Sequence, residues 1–424
     1  MRTTLGRAAS GTEAAVARGV SMAHPVFIER AENALLWDAD GCRYVDFAGG
    51  IAVLNTGHRH PRVLEAVRAQ LERVTHTCFQ VTGYEPYVAL CERLNRLAPG
   101  PGPNKTLLMT TGAEAIENAV KIARASTGRS AVISFAGGFH GRTLMALALT
   151  GKIDPYKAGF GPYPAEVYHA PFPNALHGVS SGDAFDALAM LFKCDIAPDR
   201  VAAIVFEPVQ GEGGFHVAPK DFVLRLRELC DRHGILLVAD EIQSGAGRTG
   251  RMFASEHWGV QPDIITIGKG IASGVPMGAI VAPAEVMDWP GGAHANTFGG
   301  NPIACEAALV TIKLLEKKFI ANAARIGGYL LEELKKMQPR HRLIGDVRGK
   351  GLLIGVELVR DPMTKDEAVR ERNDLVQRCF EKGLLLLGAG HCVVRFIPPL
   401  MITKQEADRA LEIFDDVLTE IEQH

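Results

Sequence analysis

The chain contains no apolar stretch approaching the roughly 18 residues that a membrane-crossing helix requires, and its 424 residues carry almost no surplus of charge, −2 at pH 7. The first absence excludes a helical span. The second removes any composition-level case for nucleic acid or an anionic membrane as partner. The cysteines, Cys42, Cys78, Cys91, Cys194, Cys230, Cys305, Cys379 and Cys392, form no CxxC and no Cys/His spacing. A disulfide framework and a zinc site are therefore set aside, and the scattered thiols suit a reduced, cytoplasmic chain with no metal. Arg2, Arg7 and Arg18 stand among Ala, Ser and Thr near the N-terminus, but Glu13 interrupts them and no apolar segment follows. That excludes a secretory signal and leaves only a faint presequence-like pattern. No internal repeat or low-complexity segment is found, so a solenoid is ruled out. Neither GxxxxGK[ST] nor a GxGxxG with its distant acid occurs, which makes ATP and NAD poor candidates for any bound anion.

What is present is globular: 47% hydrophobic and 22% charged residues, in a chain long enough for more than one domain. Residues 1–57 hold Leu35-Leu36-Trp37 and Tyr44-Val45-Asp46-Phe47 around Asp40-Gly41, a hairpin signal. Residues 58–318 read as one large α/β unit. Residues 319–424 alternate helical stretches with Leu352 to Leu358 and Val393 to Phe396, a small α+β unit that the N-terminal segment joins.

Within the large unit, five short runs are nearly continuous in apolar residues and each ends in polar ones. Thr106 to Met109 ends at Thr111-Gly112, and Ala131 to Phe135 at Gly138-Phe139-His140. Val201 to Phe206 ends at Glu207, Ile235 to Ala239 at Asp240-Glu241, and Ile264 to Ile267 at Gly268-Lys269-Gly270. Such runs, separated by segments of helical spacing, describe a mostly parallel sheet covered on both faces. Ligands of open α/β sheets bind beyond the carboxyl ends of the strands. Lys269, Asp240, Glu207, Phe139 and Gly112 are thereby expected around one crevice.

Each of these residues has two readings. Lys269 is either a solvated strand end or an amine held for chemistry, its flanking glycines admitting a backbone or a flat ligand. Thr111-Gly112-Ala113 is either a tight connection or a helix N-terminus that cradles phosphate. Asp240 either caps the next helix or faces a cation, because an unpaired buried carboxylate is costly. An amine, an anion nest, an aromatic plate at Phe139 and a buried acid together suit a phosphorylated ring with a protonated nitrogen, most economically pyridoxal 5'-phosphate.

At this point the chain resembles the fold-type I, class III aminotransferases, and among them the bacterial 4-aminobutyrate:2-oxoglutarate enzymes. The likeness runs from His24-Pro25-Val26-Phe27 and Phe47 to His58 through to Arg395. Its most specific pieces are Thr111-Gly112-Ala113-Glu114-Ala115, Phe139-His140-Gly141-Arg142-Thr143, Glu207-Pro208-Val209-Gln210-Gly211-Glu212, Asp240-Glu241-Ile242-Gln243 and Gly268-Lys269-Gly270. The resemblance implies that Lys269 links covalently to the cofactor and later shuttles the substrate proton, and that Asp240 holds the pyridine nitrogen protonated. It implies that Gln243 bonds the ring 3'-oxygen, that Gly112 and Ala113 bind the phosphate, and that Phe139 stacks on the ring. His140, Ile242 and Glu207 join the cofactor-binding set, Glu207 as support for Asp240 or Gln243. Thr297 matches a threonine that reaches the phosphate from the neighbouring subunit, so a homodimer or tetramer with shared sites is implied.

For substrate, the resemblance points to Arg142 and Arg395 as carboxylate clamps, each suited to bidentate pairing. 4-Aminobutyrate has one carboxylate and 2-oxoglutarate two. An idle buried arginine costs about 3–5 kcal/mol; Glu212 is implied to cover Arg395 for the first substrate and to swing away for the second. Ile51 matches a small apolar residue of the 4-aminobutyrate pocket. His140, His58 and His60 match no closed metal site. Other readings stay open: a different ω-amine donor such as 5-aminovalerate or ornithine, a pyridoxal-phosphate isomerase, epimerase or decarboxylase, or a non-enzymatic scaffold.

Overall fold

The computed structural model describes residues 14–100 and 102–423; residues 1–13, which carry most of the presequence-like pattern, lie outside them. A seven-stranded sheet forms the centre, in the order Asn104–Met109, Gly278–Pro283, Ile264–Ile267, Leu236–Asp240, Val201–Phe206, Ala131–Phe135, Val167–Ala170. The strands run parallel except Gly278–Pro283, which pairs antiparallel with both neighbours. All five expected runs are strands, and the sheet gains Gly278–Pro283 and Val167–Ala170. Alternating residues feed two cores. Val132, Val205, Val238 and Ile280 pack with Ala115, Ile116, Ala119 and Ala123 of the helix Gly112–Thr127. Ile133, Ile204 and Leu237 face Phe222, Leu226 and Cys230 of the helix Lys220–His233. Burial on both faces is why these strands read as unbroken apolar runs.

The N-terminal hairpin forms as expected, with Trp37 opposite Arg43, and Asp38 accepting from the amides of Asp40 and Cys42 inside the turn. Its second strand pairs parallel with Leu384–Leu385. The second sheet is antiparallel, in the order Ile344–Lys350, Leu353–Leu358, Val393–Phe396, Leu387–Ala389, and sets Arg395 opposite Gly355 on one side and Leu387 on the other. The chain leaving Arg395 returns to the N-terminal segment: Ile397 N donates to Phe47 O, and Leu400 N to Asn55 O.

One buried cation joins these parts. Arg248 is fully enclosed and donates to the carbonyls of Leu352 and Pro398 and to Oδ1 of Asn55. Burial lowers its pKa to about 9 against the opposing charge of Asp46, so the guanidinium stays charged at neutral pH, its hydrogen bonds all accepted by carbonyl oxygens.

Candidate active site

The carboxyl ends of the parallel strands converge as expected, on a cavity of about 580 Å³ counting its open mouth, lined by Gly112, Ala113, Phe139, His140, Gly141, Glu207, Glu212, Asp240, Ile242, Gln243 and Lys269. A larger cleft near Ser180, His216 and Arg348 contains none of these residues. Lys269 adopts φ 45°, a left-handed conformation uncommon for a side-chain-bearing residue, immediately after the strand Ile264–Ile267. The flanking glycines are explained by packing against side chains: a Cβ on Gly268 would lie 3.2 Å from Ile242, and one on Gly270 would lie 2.1 Å from the amide of Asn55. Gly270→Ala is therefore expected to push Asn55 off the Ala246 carbonyl to which it donates. Overpacking of that kind costs about 1–3 kcal/mol; a fall in melting temperature, with less cofactor retained after dialysis, would check it.

Asp240 sits at the end of its strand, 4% exposed. One oxygen lies 2.7 Å from His140 Nδ1; the other accepts from Ile242 N at 3.1 Å and Thr266 Oγ1 at 3.3 Å. The cation expected beside this acid is thus partly supplied by the protein. Burial pulls the His140 pKa down, but hydrogen bonding to Asp240 and the charges of Asp240 and Glu207 outweigh it, and the net shift is upward. Glu207 does not contact Asp240 or Gln243 by hydrogen bond as expected; it accepts from the amides of Phe139 at 2.9 Å and Gly211 at 3.1 Å. Its carboxylate thus ties the loop after its own strand to the loop after the neighbouring strand Ala131–Phe135. Burial pushes its pKa up to about 7. For Lys269, burial lowers the pKa against the opposing pull of Glu212, Glu207 and Asp240, which favours the neutral amine.

The residues fit a phosphorylated pyridine. Gln243 Oε1 is buried with no hydrogen-bond partner, an orphan acceptor at the cavity wall. The helix Gly112–Thr127 begins at the cavity with a capping box, Thr111 Oγ1 accepting from Glu114 N and Glu114 from Thr111 N. The first amides of that helix, Gly112 and Ala113, have no acceptor in the preceding turn and present a positive dipole end. Asp240 lies in the cavity to receive a ring N–H, and Phe139 offers a flat face.

Arg395, 7% exposed, donates through Nη1 to Glu212 Oε1 at 2.5 Å. Although burial alone would raise it, the Glu212 pKa is lowered by Arg395 and Lys269. Arg142 is exposed, its guanidinium carbon 4.7 Å from the centre of the Tyr156 ring. Ile51, with φ 63°, is 43% exposed and does not line the cavity; Thr297 is exposed and does not line it either. His58 pairs with Asp46 at 2.7 Å and His60 caps the helix Pro61–Leu71. Among the described residues no cluster of His, Cys, Asp or Glu could hold a metal ion, and no helix is long and apolar enough to cross a membrane. Sequence reasoning missed Thr266 and Tyr156. The first had a signal, a hydroxyl inside the run Ile264–Ile267; the second, in an irregular loop, had none.

Fold and crevice together define a fold-type I, pyridoxal-phosphate-dependent transaminase. A profile of the family Aminotransferase class-III matches residues 15–418, and the chain belongs to that family. It is 50% identical to the 4-aminobutyrate aminotransferase of Escherichia coli and 49% identical to the 5-aminovalerate aminotransferase of Pseudomonas aeruginosa, each over 96% of this chain and 97% of the relative. Among solved structures it resembles an ornithine aminotransferase from Toxoplasma gondii (TM-score 0.88, 33% identity, 99% and 96% of the two chains covered). It also resembles a PLP-bound amine transaminase from an uncultivated Pseudomonas species (TM-score 0.88, 30% identity, 96% and 98% covered).

Proposed function

We propose that this aminotransferase moves the amino group of 4-aminobutyrate to 2-oxoglutarate, giving succinate semialdehyde and glutamate. Bound pyridoxal phosphate supplies a carbonyl with which amines condense and a ring that accepts electrons from the adjoining carbon. Lys269, whose amine burial biases toward the neutral form, would hold the cofactor at that carbonyl and move the proton at the substrate carbon. Asp240 keeps the ring nitrogen protonated, with His140 behind it fixing the carboxylate. Gly112 and Ala113 would hold the phosphate, Gln243 the ring oxygen, and Phe139 and Ile242 the ring faces. Glu207 fixes the loop of Phe139. Thr297 of the partner subunit completes the phosphate site, so the working unit is at least a homodimer. In this reading residues 58–318 carry the cofactor, and residues 1–57 pack with 319–424, which bring Arg395 to the substrate. The eight free thiols accord with a cytoplasmic location.

The observation that carries the substrate assignment is the Arg395–Glu212 pair beside an Arg142 with no carboxylate partner among the described residues. One clamp is neutralised and one is open, which suits a donor with a single carboxylate. 5-Aminovalerate is the second reading, favoured by the P. aeruginosa relative's activity; one methylene in an apolar channel is worth only about 1–3 kcal/mol. Mixing holoenzyme with each donor in the absence of acceptor and following loss of the cofactor's visible absorbance separates the two. 4-Aminobutyrate is expected to react faster, and a clear lead for 5-aminovalerate would reassign the donor.

A further inference from the structure

Tyr156, which has no role in the scheme above, touches Arg142 directly and meets Arg395 through Glu212. Its hydroxyl donates to Glu212 Oε2 at 3.2 Å while Arg395 holds Oε1, and its ring lies beneath the Arg142 guanidinium. The same ring leans on Phe139, with centroids 4.9 Å apart. The backbone around Glu212 is pinned from both sides: Gly211 N donates to Glu207, Gly390 N to the Glu212 carbonyl, and Arg348 Nε to the Gly214 carbonyl. With that backbone held, release of Arg395 falls to the side chains of the pair, and the bonds to the Glu212 carboxylate weigh against it. Arg395 engages Glu212 through one nitrogen only, and its Nε is buried without a partner. An incoming carboxylate can make two parallel bonds where Glu212 makes one. The Tyr156 hydroxyl weighs on one side of that exchange.

We propose that Tyr156 is a positioning residue that docks Glu212 on Arg395 and thereby sets the preference between substrates with one carboxylate and those with two. Burial and the charge of Glu212 push the phenol pKa up to about 12, so it remains a donor throughout the working pH range. The inference rests on the proposed roles of Glu212 and Arg395.

Tyr156→Phe keeps the ring under Arg142 and removes only the hydroxyl. Calorimetric binding of glutarate and of pentanoate to the holoenzyme gives a readout independent of turnover. A hydrogen bond to a charged group is worth about tenfold in an equilibrium, so the variant is expected to bind glutarate roughly three- to tenfold more tightly relative to pentanoate. The ratio of kcat/KM for glutamate over 4-aminobutyrate should rise by a similar factor, with melting temperature unchanged. Glu212→Gln, tested alongside, should shift both ratios in the same direction. If Glu212→Gln shifts them and Tyr156→Phe does not, Tyr156 has no docking role and the clamp scheme stands. If Glu212→Gln leaves both ratios unmoved, the scheme and the Tyr156 proposal fall together.

Discussion

Lys269→Ala is expected to lose at least about 10⁴-fold in transamination rate, the upper contribution of a positioned general base alone, while the protein folds and melts close to wild type. The amine is surrounded by Glu212, Glu207 and Asp240 yet remains below its ordinary pKa because burial outweighs them. Removing a poorly solvated amine costs the fold little, and alanine inherits the same φ of 45°. Chemistry is another matter. Among the residues lining the cavity Lys269 is the sole primary amine. Stopped-flow rates, with mass analysis after borohydride reduction, check both halves of the expectation. A variant that turned over normally, or a wild-type label at another lysine, would falsify the assignment.

Asp240→Asn should lower kcat by about 10²–10³-fold, the usual cost of removing one preorganised electrostatic partner from a reacting centre. Asparagine preserves shape and can still accept from Ile242 N and Thr266 Oγ1, so melting should move little. Its effect passes through charge. Without the carboxylate, only the charge of Glu207 still opposes burial at His140, whose pKa is expected to fall relative to wild type. The ring nitrogen loses the anion that would keep it protonated. Steady-state kcat across pH 6–9 measures this; an activity within a factor of a few of wild type would contradict the role given to Asp240.

Much of the crevice was legible because parallel strands buried on both faces leave a clear trace: apolar runs that end where polar residues begin. Gly112, Phe139, Glu207, Asp240 and Lys269 were found that way before any likeness was invoked. Strand direction leaves no such trace, and Gly278–Pro283 was missed although it lies between Asn104–Met109 and Ile264–Ile267. Pairings distant in sequence were equally silent. Nothing in local pattern joins Glu212 to Arg395, or His140 to Asp240, because in each pair a loop residue meets a strand residue that only the finished fold brings beside it. The hairpin at Asp40-Gly41 was legible for the opposite reason, since its turn chemistry is contained in a few consecutive residues. Glu207 shows the intermediate case: its place at the strand end could be read, but its actual partners, the amides of Phe139 and Gly211, depend on how two neighbouring loops fold back.

The enclosed Arg248 bears on how this enzyme can be recombined with its relatives. One guanidinium serves Asn55, Leu352 and Pro398, which come from opposite ends of the chain. The guanidinium reaches them from two separate nitrogens, Nη1 and Nη2, a planar spread that a lysine ammonium, with its three donors on one atom, does not reproduce. Chimeras that exchange the first or last hundred residues alone must keep that four-way junction compatible, so crossover points for building hybrid transaminases are best placed where all four residues travel from one parent.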